Sequence, residues 1–241
     1  MKKRHVLVIG LVILCMGAAL LFNRCSGENI TKVTISLKQI NQSYYSEKES
    51  WIDRISSLFI KRLYAQVAWD SVVDDLVIMV EGDGMDTIEA YVPPTTTSYT
   101  VEVPSGSARI FTVYGINAGQ GKNHGGIAVA DLPAGSDINL PIYMIPLPTG
   151  INIGLSVGAP GIQLTWYDPP NILGYYIYRS TNSGGPYTRI ATVNVPTQTS
   201  YLDPDANLEI NTWYYYCIST YNANGESPKT DEKAQLYPII P

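Results

Sequence analysis

Tyr214-Tyr-Tyr-Cys-Ile-Ser-Thr220 is the run whose reading decides the fold. Aromatic and β-branched residues follow one another without a Gly or Pro, which is strand composition. Successive side chains on a strand point to opposite faces, so Tyr214, Ile218 and Thr220 share one face. Trp213, Tyr215, Cys217 and Tyr221 share the other. On the first face Tyr214 is expected to bury its ring and return its hydroxyl to backbone.

Working upstream, Gly161-Ile-Gln-Leu-Thr-Trp166 alternates with Ile162, Leu164 and Trp166 inward. Gly174-Tyr-Tyr-Ile-Tyr-Arg-Ser180 is a second strand, and Ser183-Gly-Gly-Pro186 turns the chain after it. Tyr187-Thr-Arg-Ile-Ala191 and Thr199-Ser-Tyr-Leu-Asp203 are further strands. Leu208 and Thr212-Trp-Tyr214 precede the deciding run, and Asn222-Ala-Asn-Gly-Glu-Ser-Pro228 turns the chain behind it. These motifs, in this order, resemble a fibronectin type III domain over nearly all of residues 151–241. The resemblance implies strands B, C, C′, E and F of a β-sandwich, with a tyrosine corner at Tyr214. Cys217 has the wrong parity for an immunoglobulin disulfide, which favours the fibronectin type.

Between Val72 and Tyr143 the chain is short strands and turns. Val72–Val80 ends at Glu81-Gly-Asp-Gly84, and Tyr99, Val101 and Val103 end at Pro104-Ser-Gly106. Arg109–Ile116 turns at Asn117-Ala-Gly-Gln-Gly121, Ile127 and Val129 alternate up to Pro133-Ala-Gly-Ser136, and Ile138, Leu140 and Ile142 close the set. Thr31-Lys-Val-Thr-Ile-Ser-Leu-Lys38 alternates too. Such spacing predicts a second antiparallel sandwich. Val103-Pro-Ser-Gly106, Arg109-Ile-Phe-Thr-Val113 and Gly126-Ile-Ala-Val-Ala-Asp-Leu-Pro-Ala-Gly135 resemble the β-sandwich units of bacterial envelope lipoproteins. Pro146-Leu-Pro-Thr-Gly150 reads as a stiff linker, since Pro fixes φ and cannot continue a ladder.

Two segments depart from the β pattern. Ser46-Glu-Lys-Glu49 resembles a capping box, and behind it Ile52, Ile55, Phe59 and Leu63 recur at helical spacing, widened by Trp51 and Leu58. An amphipathic helix over 49–66 is expected, packed on the sandwich rather than lying on a bilayer. At the N-terminus, Lys2-Lys-Arg-His5 precedes an uncharged apolar run from Val6 to Phe22. That is an export signal or a short membrane span, with the basic end in the cytoplasm. Three outcomes stand in order: an uncleaved anchor helix, lipidation at Cys25, and cleavage after Ala19. Against lipidation, Arg24 stands where the lipoprotein pattern has a small residue.

The chain is therefore read as all-β: two tandem antiparallel β-sandwiches of the immunoglobulin-like, fibronectin type III kind, with one inserted helix and an N-terminal hydrophobic anchor helix. The divisions are 1–27 for the leader, 28–145 for the first sandwich, 146–150 for the linker and 151–241 for the second sandwich.

Function is constrained by composition. Of the 16 basic residues, Lys2, Lys3, Arg4 and Arg24 lie in the leader, leaving 12 basic against 21 acidic residues, a net −9. Such a surface repels phosphate backbones, so nucleic acid is not expected as a partner. The three cysteines (Cys15, Cys25, Cys217) form no metal-ligand or disulfide pattern. His124 is the one histidine outside the leader, in a Gly-rich stretch that reads as a solvated loop. No nucleophile–base pair or hydrolase motif can be written, so no catalytic residue, metal or cofactor is expected. Glu81, Asp83, Asp86 and Glu89, and the Asp203–Asn207 stretch, read as acidic turns rather than calcium loops. The candidate contact face is the outward parity: Trp213, Tyr215 and Tyr221 with Tyr176 and Tyr178 of the neighbouring strand. The expectation is a non-catalytic, exported and membrane-anchored interaction module of the bacterial envelope, binding an envelope protein or a polysaccharide. The alternatives are a carbohydrate-binding accessory using that aromatic face, and a minor hydrolase working through paired carboxylates.

Overall fold

A computed structural model describes residues 29–38 and 73–238. The leader, Cys25 and the expected helix over 49–66 lie outside the described residues. Among the described residues the elements are sixteen strands and one short 3-10 turn, with no α-helix.

The first sandwich faces a three-stranded sheet against a five-stranded one. The smaller sheet has the order β4-β1-β7, from β1 (Ile30–Lys38), β4 (Ser98–Pro104) and β7 (Asp137–Tyr143). The larger has the order β3-β2-β5-β6-β8, from β2 (Asp75–Glu81), β3 (Ile88–Val92), β5 (Gly106–Asn117), β6 (Gly121–Leu132) and β8 (Ile145–Pro146). Alternate residues of both sheets fill one core: Val33, Ile35 and Leu37 from β1, Leu76, Ile78 and Val80 from β2, Phe111 and Val113 from β5. The expectation of a purely antiparallel sandwich is corrected at one place. β1 runs antiparallel to β4 but parallel to β7, with Val33 beside Ile138 and Ile35 beside Leu140. A parallel neighbour requires a long crossover, and here the whole of β2 to β6 supplies it.

Three strands of the second sandwich, β9 (Thr149–Leu155), β10 (Gly161–Tyr167) and β13 (Ser200–Pro204), form a sheet in the order β13-β10-β9. The opposing sheet orders β12 (Thr188–Val193), β11 (Gly174–Ser180) and β14 (Thr212–Asn222), with β15 (Gly225–Glu226) and β16 (Lys233–Tyr237) both pairing β14. Ile162, Leu164, Trp166, Tyr175, Ile177, Tyr214, Tyr216, Ile218 and Tyr237 make its core. The rings of Trp166 and Tyr175 meet at 5.0 Å between centroids. This arrangement of three strands against five is the fibronectin type III fold expected for 151–241. The tyrosine corner is present: the Glu209 N–H donates to the Tyr214 hydroxyl at 2.7 Å.

The stretch between the sandwiches is buried rather than extended into solvent. Met144 to Pro148 are all buried, Pro146 belongs to β8, and Thr149 and Gly150 open β9. Two hydrogen bonds fasten it on either side. The Leu147 N–H donates to the Asn123 carbonyl at 2.8 Å, and the Thr220 hydroxyl donates to the Pro146 carbonyl.

Candidate functional site

The outward parity of β11 and β14 does gather aromatic rings on one face, but not into a single platform. Tyr176 stacks on Tyr221 with centroids 4.5 Å apart and planes 15° from parallel. Arg189 lies over the other side of Tyr176, its Cζ 4.5 Å from the ring centre. The Tyr221 hydroxyl donates to Asn194 Oδ1 at 2.7 Å. Trp213 is 51% exposed and Tyr215 half-buried, both near the far end of β14. Trp213 and Tyr221 are eight positions apart, a span of about 27 Å at the rise of a strand.

Between these ends the face is covered, which corrects the expectation of an open Tyr178. That ring is only 9% exposed. Its hydroxyl donates to Glu226 Oε1 at 2.6 Å, and Ser219 Oγ donates to the same oxygen at 2.6 Å. Lys229 Nζ sits 4.4 Å from the ring centre. Burial, then the hydrogen bond to Glu226, pushes the Tyr178 phenol well above its ordinary range. Beside it Glu232 collects the Ser183 hydroxyl at 2.5 Å, the Gly184 N–H at 3.0 Å and the Tyr187 hydroxyl. Those bonds hold the Glu232 carboxyl below the usual carboxylate range, the Ser183 bond most of all. Cys217 lies beneath this layer, and burial pushes its thiol up to about 11. The covering side chains come from the turn and tail after β14, where sequence reading sees only a reverse turn.

Other residues behave differently from their sequence reading. His124 is not a solvated loop residue. It lies in β6 opposite Pro146, with its Nδ1 3.1 Å from Asn123 Oδ1, and burial pushes its pKa down to about 4. Asp203, read as a turn residue, is fully buried and holds Arg179 and Tyr216. Of the acidic residues around Gly82 and Gly84, Glu89 accepts the Tyr91 hydroxyl at 2.7 Å, and Asp83 offers its backbone carbonyl to Arg109. Among the described residues no group of three or more His, Cys, Asp or Glu side chains is placed to hold a metal.

No family profile matches the chain. Over 90 residues, 37% of its length, it is 34% identical to an amylopullulanase of Thermoanaerobacterium thermosulfurigenes, and it spans 5% of that protein. A solved Fn3-like protein from Clostridium thermocellum is similar at 37% identity, covering 39% of this chain and 95% of that one, with a TM-score of 0.34. A two-domain fibronectin type III segment of chicken tenascin is similar at 15% identity, covering 68% of this chain and 85% of that one, with a TM-score of 0.30.

Proposed function

We propose that the protein is a non-catalytic module of the bacterial cell envelope, exported and held at a membrane by its N-terminal segment, that binds an envelope polysaccharide. The observation that carries this is the construction of the exported part. Two sandwiches are joined through a buried seam at Met144–Pro148, and among the described residues their exposed groups include aromatic and hydrogen-bonding side chains. Fibronectin type III modules are typically non-catalytic, though fold alone does not fix function. The 90-residue likeness to part of an amylopullulanase supports a carbohydrate setting. An aromatic ring with one apolar face and a polar edge suits a sugar, whose C–H face packs on the ring while its hydroxyls hydrogen-bond outward. Incubating the full-length chain with immobilised starch, cellulose, chitin and peptidoglycan tests this. Retention on at least one is expected, and a chain that passes through all of them ends the proposal.

A further inference from the structure

We infer that the cleft where the two sandwiches meet binds a pyranose unit of that polysaccharide, with Tyr167 as its stacking surface. This rests on the polysaccharide reading above, and it places the contact at the seam instead of the β11–β14 face.

The cleft encloses about 300 Å³ and is lined from both halves of the chain. That volume lies at the lower end of the range for small-molecule sites, enough for a sugar unit rather than a cofactor. Tyr167, at the end of β10, is 72% exposed. Its position is built rather than incidental. The pairing of β10 with β9 shifts register between Thr165 and Tyr167, and such bulges re-aim a side chain. The ring then lies across Gly150, whose φ is +60°. A Cβ at Gly150 would stand 2.3 Å from Tyr167 Cδ2 and Cε2, so only glycine lets the backbone pass directly against the ring. The ring has one side set against backbone and the other open. Its hydroxyl makes no hydrogen bond among the described residues, unlike that of exposed Tyr91, which is tied to Glu89.

The polar groups around this ring suit hydroxyls. The side-chain amides of Asn152 and Gln120 line the cleft, and neither makes a hydrogen bond among the described residues. Each offers a donor and an acceptor, the pairing a vicinal diol uses. Lys122 reaches from β6 to Asp231 at 2.6 Å, placing a carboxylate with spare acceptor capacity at the rim. Gln120 and Lys122 come from the first sandwich, and Asn152, Tyr167 and Asp231 from the second. The cleft therefore exists only because the buried seam fixes one half against the other.

The test measures retention of the full-length chain on the same immobilised polysaccharides, comparing Tyr167→Ala, Tyr167→Phe, Asn152→Ala and Trp213→Ala with the parent. Tyr167→Ala is expected to weaken binding about tenfold, the loss of one stacking contact. Tyr167→Phe keeps the ring and should recover most of that loss, and Asn152→Ala should weaken binding severalfold. Trp213→Ala, on the other face, should change nothing. Retention that survives both Tyr167→Ala and Asn152→Ala overturns the cleft and leaves the polysaccharide reading standing. Failure of the parent to bind any of the four overturns both.

Discussion

Asp203 and Arg179 meet at 2.7 Å inside the second sandwich, where the Asp203 side chain has no exposure to solvent. The Tyr216 hydroxyl donates to the same carboxylate oxygen at 2.7 Å, and Asn207 Nδ2 approaches the other at 3.5 Å. β11 and β14 aim Arg179 and Tyr216 inward, and β13 brings Asp203 to them. A carboxylate taken wholly out of water is tolerated only with such partners. Replacing the arginine strands the charge. Arg179→Met is therefore expected to cost about 3–5 kcal/mol in urea unfolding. Tyr216→Phe, which removes one bond and leaves the ion pair, should cost about 1–2 kcal/mol. Equal effects from the two would show that the ion pair is not the main element.

Arg109 poses the same problem with a different solution. It is buried, and its guanidinium donates to three backbone carbonyls: Pro104 at 3.2 Å, Asp83 at 2.6 Å and Ser105 at 2.8 Å. It ties the β2–β3 turn to the β4–β5 turn, and glycines at 82 and 106 leave room for it. A Cβ on Gly82 or Gly106 would stand 2.5 Å or 2.4 Å from a guanidinium nitrogen. Arg109→Ala is expected to lower stability by about 1–3 kcal/mol, because three part-buried carbonyls lose their donor. Arg109→Lys should recover less than half of that, since an ammonium lacks the planar fork. Full recovery by lysine in a thermal melt would show that charge alone suffices.

The parts of this fold that were legible in the sequence are those set by local period. The parity of β14 separates Tyr214, Tyr216 and Ile218 from Trp213, Tyr215 and Tyr221, and the structure keeps that division. The same parity puts Tyr176 and Tyr221 on one face, where their rings stack diagonally across the strand pair. Long-range effects were not legible. Whether Tyr178 is open depends on Glu226 and Lys229, roughly fifty residues away and carried by a turn whose path periodicity does not encode. The parallel pairing of β1 with β7 joins segments about a hundred residues apart. The Tyr167 cleft needs a β-bulge and a glycine with positive φ, and neither leaves a mark in an alternating pattern.

His124 makes the seam sensitive to acid. Its ordinary pKa is 6.5, and burial brings the folded value down to about 4. Between those values the unfolded chain binds the proton and the folded chain does not, so stability is full above pH 6.5 and falls as the pH drops towards 4. The loss is about 2–3 kcal/mol at most, because the ring is half-buried rather than sealed. Urea midpoints at pH 7 and pH 4.5 measure it. His124→Gln should flatten that part of the pH dependence, and a variant with the parent's full slope would place the effect elsewhere.

Cys217 gives a readout of the layer that covers the β11–β14 face. Its side chain is 3% exposed and its thiol is pushed up to about 11, chiefly by burial. The thiolate is the reactive form, so both access and ionisation are withheld at neutral pH. Alkylation by iodoacetamide at pH 8, followed by peptide mass analysis, should leave Cys217 unmodified in the folded chain and modify it in urea. Tyr187→Ala removes one of the hydroxyls that Glu232 holds, and with it a ring of the covering layer. It should speed alkylation about tenfold or more while the chain stays folded, since opening one side chain needs far less free energy than global unfolding. Rapid alkylation of the parent would mean that the layer over β14 is open in solution, and that Tyr178 is available for contact after all.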